Sequence, residues 1–376
     1  MIKLFVTGDN HIGLKYADHE QSAELAGRRI SAFEGMVNKA NSEECGLFVI
    51  TGDLFENVYN ISEKTIKTLL DLLSEFHGIV VVLPGNHDYY DDGVKLWQSF
   101  KKIMSNYDNI MLLSDYRPYT LSVGEEDVVI YPALCKSKHS EPGENNLGWI
   151  KEENIVSDNK IRIGIAHGAV EGETIDREGV YFFMNRAELE SIPVDVWLIG
   201  HTHVPFPNDL TEEFKITGKV LNAGTHVQTD VSCNTEGVCF IVEIDSDKTV
   251  RTKKYVSGNL RFFRKTIELT AGSMNETLDR ELSNISDNSV VEIFLSGAVS
   301  AEEYDERVDA VDKLLSRFVE SSCNYSGLSK LISKEQIDSE FAETSFSAGF
   351  LAALLDEPKE AQLAYELLNS LKKEGK

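Results

Sequence analysis

Short apolar runs punctuate the first two hundred residues: Ile2 to Val6, Leu47 to Ile50, Ile79 to Leu83, Arg162 to Ala166 and Val196 to Ile199. All have strand length. Between the second and third, Ile66, Leu69, Leu70 and Leu73 recur at i, i+3, i+4 and i+7, an apolar stripe that predicts a helix. The stretch therefore reads as a strand–helix–strand crossover. Strands separated by helices predict a layered α/β domain around a buried central sheet.

From about Val220 the pattern changes to strands joined by turns: Val220 and Leu221, Val238 to Ile244, then Val250 to Tyr255. A further strand is expected over Phe262 to Leu269, then a helical stretch, a strand over Val290 to Leu295 and a helix over Ala301 to Phe318. This predicts a small α/β appendage beginning near Asn259. The tail holds two amphipathic helical stretches, one with Phe346, Phe350, Leu351, Leu354 and Leu355, the other, beyond Pro358, with Ala364, Leu367, Leu368 and Leu371. The pattern thus divides the chain into 1–258, 259–340 and 341–376, with no internal repeat. A length of 376 residues suits a main domain plus a smaller one.

Composition changes this picture little. The hydrophobic fraction of 42% and charged fraction of 26% are those of an ordinary globular protein. The apolar run at the start is too short for a signal sequence, and no other run approaches a membrane span, so a cytoplasmic protein is expected. Five scattered cysteines (Cys45, Cys135, Cys233, Cys239 and Cys323) without a CxxC pair read as thiols in a reducing compartment. The net charge of −25 argues against autonomous nucleic-acid binding, but leaves room for a local basic groove or for a partner that supplies the positive charge.

The candidate chemistry sits just after the predicted strands. Asp9-Asn10-His11 follows Val6, Gly52-Asp53 follows Ile50, and Gly85-Asn86-His87-Asp88 follows Leu83. His167 follows Ala166, and Gly200-His201-Thr202-His203 follows Ile199. Ligands of open α/β sheets bind beyond the carboxyl ends of the strands, so these turns are expected to converge. Leaving His87 aside, they offer two Asp, one Asn and four His. Mixed imidazole and oxygen donors suit Mn, Fe or Zn better than Mg or Ca. The set exceeds the needs of one ion but suits two that share a carboxylate, an arrangement that clamps a phosphoryl group for in-line displacement. His19, His77, His139 and His226 stand singly and read as surface or satisfied residues.

Taken in order, Asp9-x-His11, Gly52-Asp53, Gly85-Asn86-His87-Asp88, His167 and Gly200-His201-x-His203 resemble the calcineurin-like metallophosphoesterase signature. The resemblance implies a layered β-sandwich flanked by helices, with two divalent ions, manganese foremost and iron, zinc or magnesium as substitutes. It implies Asp9, His11 and His203 on one ion, Asn86, His167 and His201 on the other, and Asp53 bridging. His87 would be the general acid that protonates the leaving oxygen, a role suited to an imidazole, with Asp88 orienting it.

Further features are similar to SbcD-type subunits of double-strand-break-repair nucleases. These are Asp9-Asn10-His11-Ile12-Gly13-Leu14 with a following helix bearing Arg28, Arg29 and Phe33, and Gly52-Asp53-Leu54-Phe55. The segment Val290 to Gly297 with its helix resembles their capping domain, and Asn222-Ala223-Gly224-Thr225 their Pro-Gly-Ser turn, with Ala and Thr as departures. Glu56 stands where Asp is commoner, with little consequence expected for the metals. This resemblance implies a nuclease acting on DNA, an SbcC-like ABC ATPase docked on the tail helices, a homodimer, and no membrane. The alternative is a stand-alone phosphodiesterase or phosphatase acting on small phosphoesters.

Overall fold

The computed structural model describes residues 1–153, 155, 158–174 and 176–374, and the chain divides into two compact units, Met1–Leu260 and Arg261–Lys376. In the first unit, β1 (Ile2–Thr7), α1 (Ser22–Ser42), β2 (Leu47–Ile50), α2 (Glu63–Ser74), β3 (Ile79–Val82), α3 (Lys95–Met104) and β4 (Ile110–Leu112) alternate. The four strands pair in parallel, in the order β4-β3-β2-β1. Because they advance in one direction through right-handed crossovers, the three helices share one face of the sheet. Every residue of β2 is buried, as befits a strand covered on both sides. The stripe on α2 packs as its spacing predicts, with Ile66, Leu69, Leu70 and Leu73 all buried and Ser62 capping the first turn by accepting from Thr65 N at 3.0 Å.

A hairpin of β5 (Tyr119–Val123) and β6 (Glu126–Ala133) opens the second sheet. Then come α4 (Gly148–Glu152), β7 (Ile161–His167), α5 (Arg186–Ser191), β8 (Val196–Gly200), β9 (Lys215–Ile216), β10 (Val220–Leu221), β11 (Val238–Ile244) and β12 (Val250–Val256). The second sheet runs β10-β8-β7-β6-β5, while β11, β12 and β9 extend the first beyond β1. A single buried cluster joins Phe5, Phe48 and Val81 of the first sheet to Leu121, Ile163 and Leu198 of the second, so the two pack as a sandwich. On the outer face of the second sheet, Tyr131, Trp197 and Ile199 pack with Ile150 of α4 and Leu189 of α5.

The second unit is a three-stranded parallel sheet of β13 (Arg261–Thr270), β14 (Ser289–Val299) and β15 (Glu320–Lys330). Its crossovers are α6 (Met274–Leu282) and α7 (Ala301–Leu315), and they bury Leu278, Leu282, Val311 and Leu315 against Ile267, Ile293 and Leu295. Three helices follow, α8 (Lys334–Glu340), α9 (Phe346–Ala353) and α10 (Pro358–Glu374), gathered around Ile337, Leu351 and Ala361. Among the described residues, no helix is long and apolar enough to cross a membrane.

Candidate metal centre

Five strands of the sandwich end at one place. Asp9 follows β1, Asp53 follows β2, Asn86 follows β3, His167 closes β7, and His201 follows β8. Their neighbours His11 and His203 complete the set, and Asp9, His11, Asp53, Asn86 and His167 are all buried. Ligand atoms of Asp9, His11 and His203 lie within 4.8 Å of one another, as do those of Asp9, Asp53 and His167. The backbone is bent to achieve this: Asp9 (φ 47°), His11 (46°), Asp53 (50°), His201 (113°) and His203 (60°) all occupy conformations that side chains other than Gly seldom adopt. Such strain persists only where the surroundings enforce it, and it concentrates at functional sites. Two glycines make room. A Cβ on Gly52 (φ 105°) would stand 2.2 Å from His167 Nδ1, and one on Gly85 2.2 Å from Asp53 Oδ1.

The ligand atoms face one another across hydrogen-bond distances. His167 Nδ1 donates to Thr51 O at 3.0 Å, so Nε2 is the atom that carries either the ring's second proton or, once that is lost, a lone pair for a metal. That Nε2 lies 3.2 Å from Asp53 Oδ2 and 3.0 Å from Asn86 Oδ1. Asn86 Oδ1 is also 3.1 Å from His201 Nδ1. On the other side, His11 Nε2 and His203 Nε2 are 2.9 Å apart, while His11 Nδ1 meets Glu56 Oε2 at 2.9 Å. Acceptors crowded this way call for a cation. Burial pulls His167 down, yet the Asp53 carboxylate outweighs it and pushes the imidazole up to about 9. Burial and the neighbouring His167 lower His201 to about 4. Burial alone would raise Asp53, but His167 and the other imidazoles hold it below the usual carboxylate range. The residues therefore fit the divalent ions that the signature implies.

His87 is less buried than this set, although its ligand atom forms a third cluster with those of His11 and Asp53, again within 4.8 Å. Its side chain is 35% exposed and lines a cleft of about 780 Å³ together with His11, Glu56 and His203. Its backbone N–H donates to Asp53 Oδ1 at 2.8 Å, and its Nδ1 meets Glu56 O at 3.0 Å. The expected contact with Asp88 is not made. Asp88 is wholly buried and gives its two oxygens to the N–H groups of Gly85 (2.7 Å) and Phe55 (3.0 Å). It braces the turn from within, so Glu56 is the residue that orients His87.

Two further departures concern residues that the sequence passes over. Glu56, expected to matter little, fixes the ring of His11 through its carboxylate and that of His87 through its carbonyl. His19, read as a surface or satisfied residue, lines the cleft with Tyr16, Asp230 and Cys233. Both lie on loops, where no periodicity marks them; only the position of Glu56 three residues after Asp53 could have drawn attention.

A family model of calcineurin-like phosphoesterases matches residues 2–205. Among solved structures the chain is similar to TT1561 of Thermus thermophilus, at 11% identity over 67% of this chain and 97% of that one, with a TM-score of 0.41. It is similar to a dimetal phosphatase from Danio rerio at 11% identity, covering 68% and 98%, with a TM-score of 0.36. A purple acid phosphatase from yellow lupin seeds matches at 13% identity, covering 68% of this chain and 51% of that one, with a TM-score of 0.39.

Proposed function

The chain belongs to the calcineurin-like phosphoesterase family, and from that premise we propose that it hydrolyses phosphodiester bonds in DNA as the nuclease subunit of an SbcCD-like repair complex. The observation that carries the hydrolytic reading is the convergence of seven imidazole, carboxylate and amide donors at one end of the sandwich. Asp9, His11 and His203 would hold one ion and Asn86, His167 and His201 the other, with Asp53 available to both. Two divalent ions bound there, manganese for preference, supply Lewis acidity to the phosphoryl oxygens and make water nucleophilic at neutral pH. His87 is fixed at Nδ1, which leaves Nε2 to carry a proton to the departing oxygen from the cleft side.

The nuclease reading draws support from the second unit. On its tail Phe346 is 81% exposed, Leu363 69% and Leu367 60%, apolar surface of the kind that a partner subunit covers. An ATPase docked there would contribute the cations that a chain of net charge −25 lacks. One observation favours the alternative, a small phosphoester: no Lys or Arg is among the described residues lining the cleft. The test is Mn-dependent cleavage of end-labelled duplex and single-stranded DNA, with and without the ATPase, beside a panel of small phosphodiesters. Degradation of DNA is the expected result. Rapid turnover of a small diester with intact DNA, even beside the ATPase, would replace the nuclease with the alternative.

A further inference from the structure

Arg29, on α1, is 1% exposed, and among the described residues no carboxylate lies within ion-pair distance of it. A buried guanidinium without a counter-charge is costly unless its hydrogen bonds repay the loss of water. Here they do so on uncharged acceptors. Nε and Nη2 both donate to Asn10 O, at 3.1 and 2.7 Å. Nη1 donates to Val227 O at 3.0 Å, Gln228 O at 3.2 Å and Tyr16 OH at 3.3 Å, and Nη2 to Thr225 Oγ1 at 3.3 Å.

What these acceptors belong to gives the arginine its meaning. Asn10 separates Asp9 and His11, whose φ values of 47° and 46° put two strained residues on either side of the gripped carbonyl. Thr225 in turn donates from Oγ1 to Asp9 O at 2.9 Å, and its N–H reaches His203 O at 3.4 Å. Ligand atoms of Asp9, His11 and His203 lie within 4.8 Å of one another, and Asp9 is shared with the cluster of Asp53 and His167. Arg29 makes no hydrogen bond to Asn86, His167 or His201.

We propose that Arg29 is the positioning residue for one half of the metal centre: with Thr225 it holds the strained Asp9–His11 loop and His203 in ligating geometry, while the half built on Asn86, His167 and His201 stands without it. The proposal rests on the ligand assignment above and adds an asymmetry to it. Lysine cannot substitute, since its ammonium lacks the planar five-donor fork. Loss of such a supporting contact weakens metal binding by about 10- to 100-fold.

The experiment is a Mn(II) titration of the full chain by calorimetry and by electron paramagnetic resonance, on wild type, Arg29→Lys and Thr225→Val. Wild type should bind two ions and show the spectrum of a coupled pair. Arg29→Lys should weaken one ion within that 10- to 100-fold range and leave the other within about twofold, so that a single-ion spectrum dominates at intermediate Mn. Adding His11→Ala should cost little more, because the same ion is affected, whereas adding His167→Ala should abolish the remaining one. Equal weakening of both ions, or of neither, overturns the proposal. If Arg29→Lys does not fold, the near-isosteric Thr225→Val decides alone: it should show the same one-sided loss, and unchanged affinity for both ions refutes the idea. A wild type that binds no pair of ions would instead sink the ligand assignment.

Discussion

Both units contain parallel strands joined by helical crossovers, and they differ in what they do with the strand ends. In the first unit, β1, β2, β3, β7 and β8 each deliver a metal-ligand type at or just beyond the carboxyl end. In the second, β13 runs into Ala271-Gly272, β14 into Ser300 and β15 into Leu331-Ile332, none of them a metal ligand of choice. Their burial differs as well. The ligand-bearing strands of the first unit are buried almost throughout, whereas on β14 Ile293 and Leu295 are buried beside an exposed Phe294 and a half-buried Ser296. A sheet packed from both sides can hold strained turns rigidly at its edge. One packed from a single side keeps a face for other contacts. The same topology thus serves chemistry in one unit and, on our reading, association in the other.

Asp53→Asn tests that contrast with the largest expected effect. The substitution keeps the shape but removes the charge that appears in two of the three ligand clusters. Hydrolysis of any substrate should fall by at least about 10³-fold, as the loss of several kcal/mol of metal-borne stabilisation requires. The metal-free protein should melt lower than wild type near neutral pH, since the carboxylate charge that His167 and the other imidazoles stabilise is gone. Mn-induced stabilisation should largely vanish. Comparable loss from Ser300→Ala, at the end of β14, would erase the distinction between the units.

His87→Ala comes next. General-acid catalysis is worth about 10²–10⁴-fold, and it matters most for a poor leaving group. Diesters with alkoxide leaving groups should slow by that factor and activated nitrophenyl esters far less, with two ions still bound. Equal slowing of both would make His87 a ligand rather than an acid; its closeness to His11 and Asp53 makes this the sharpest check on the assignment.

How far the sequence foretells these features depends on where each residue sits. The turns carrying Asp9, Asp53, Asn86, His167 and His201 are legible because each interrupts a run of apolar residues, which only a doubly covered strand sustains. The hairpin of β5 and β6 is not anticipated, although Tyr119, Leu121 and Val123 alternate with exposed positions. Eleven residues of β15 escape notice for a physical reason: a half-solvated strand such as Glu320–Lys330 buries only Leu328 and Ser329, so no period of two is written in it. Arg29 enters the sequence reading only as one residue of a resembling helix; besides Asn10 and Tyr16, its acceptors come from loops nearly two hundred residues away, at Thr225, Val227 and Gln228. Asp88 misleads through adjacency, because consecutive residues in a tight turn point to different sides.

Leu367→Asp probes the association side. Leu367 is 60% exposed, so folding should change by no more than about 0.5 kcal/mol and hydrolysis of a small diester not at all. Cleavage of DNA beside the ATPase should drop, with co-purification of the two as the direct readout. Full retention of the complex would move the docking surface elsewhere.

The smallest effect lies at the start of α7. Ser300 accepts from Glu303 N at 3.2 Å while Glu303 Oε2 accepts from Ser300 N at 2.9 Å, a reciprocal capping box. Glu303 also takes the N–H groups of Gly272 and Met274, at 2.9 and 3.1 Å, and so ties the entry of α6 to that of α7. Ser300→Ala should cost about 1 kcal/mol, and it should fall on the second unit alone. If the units unfold separately, only the transition of the second should shift in a melt, while Mn affinity and small-diester turnover stay at wild-type values. A shift of both transitions together would show that the two sheets, different as their ends are, share one cooperative fold.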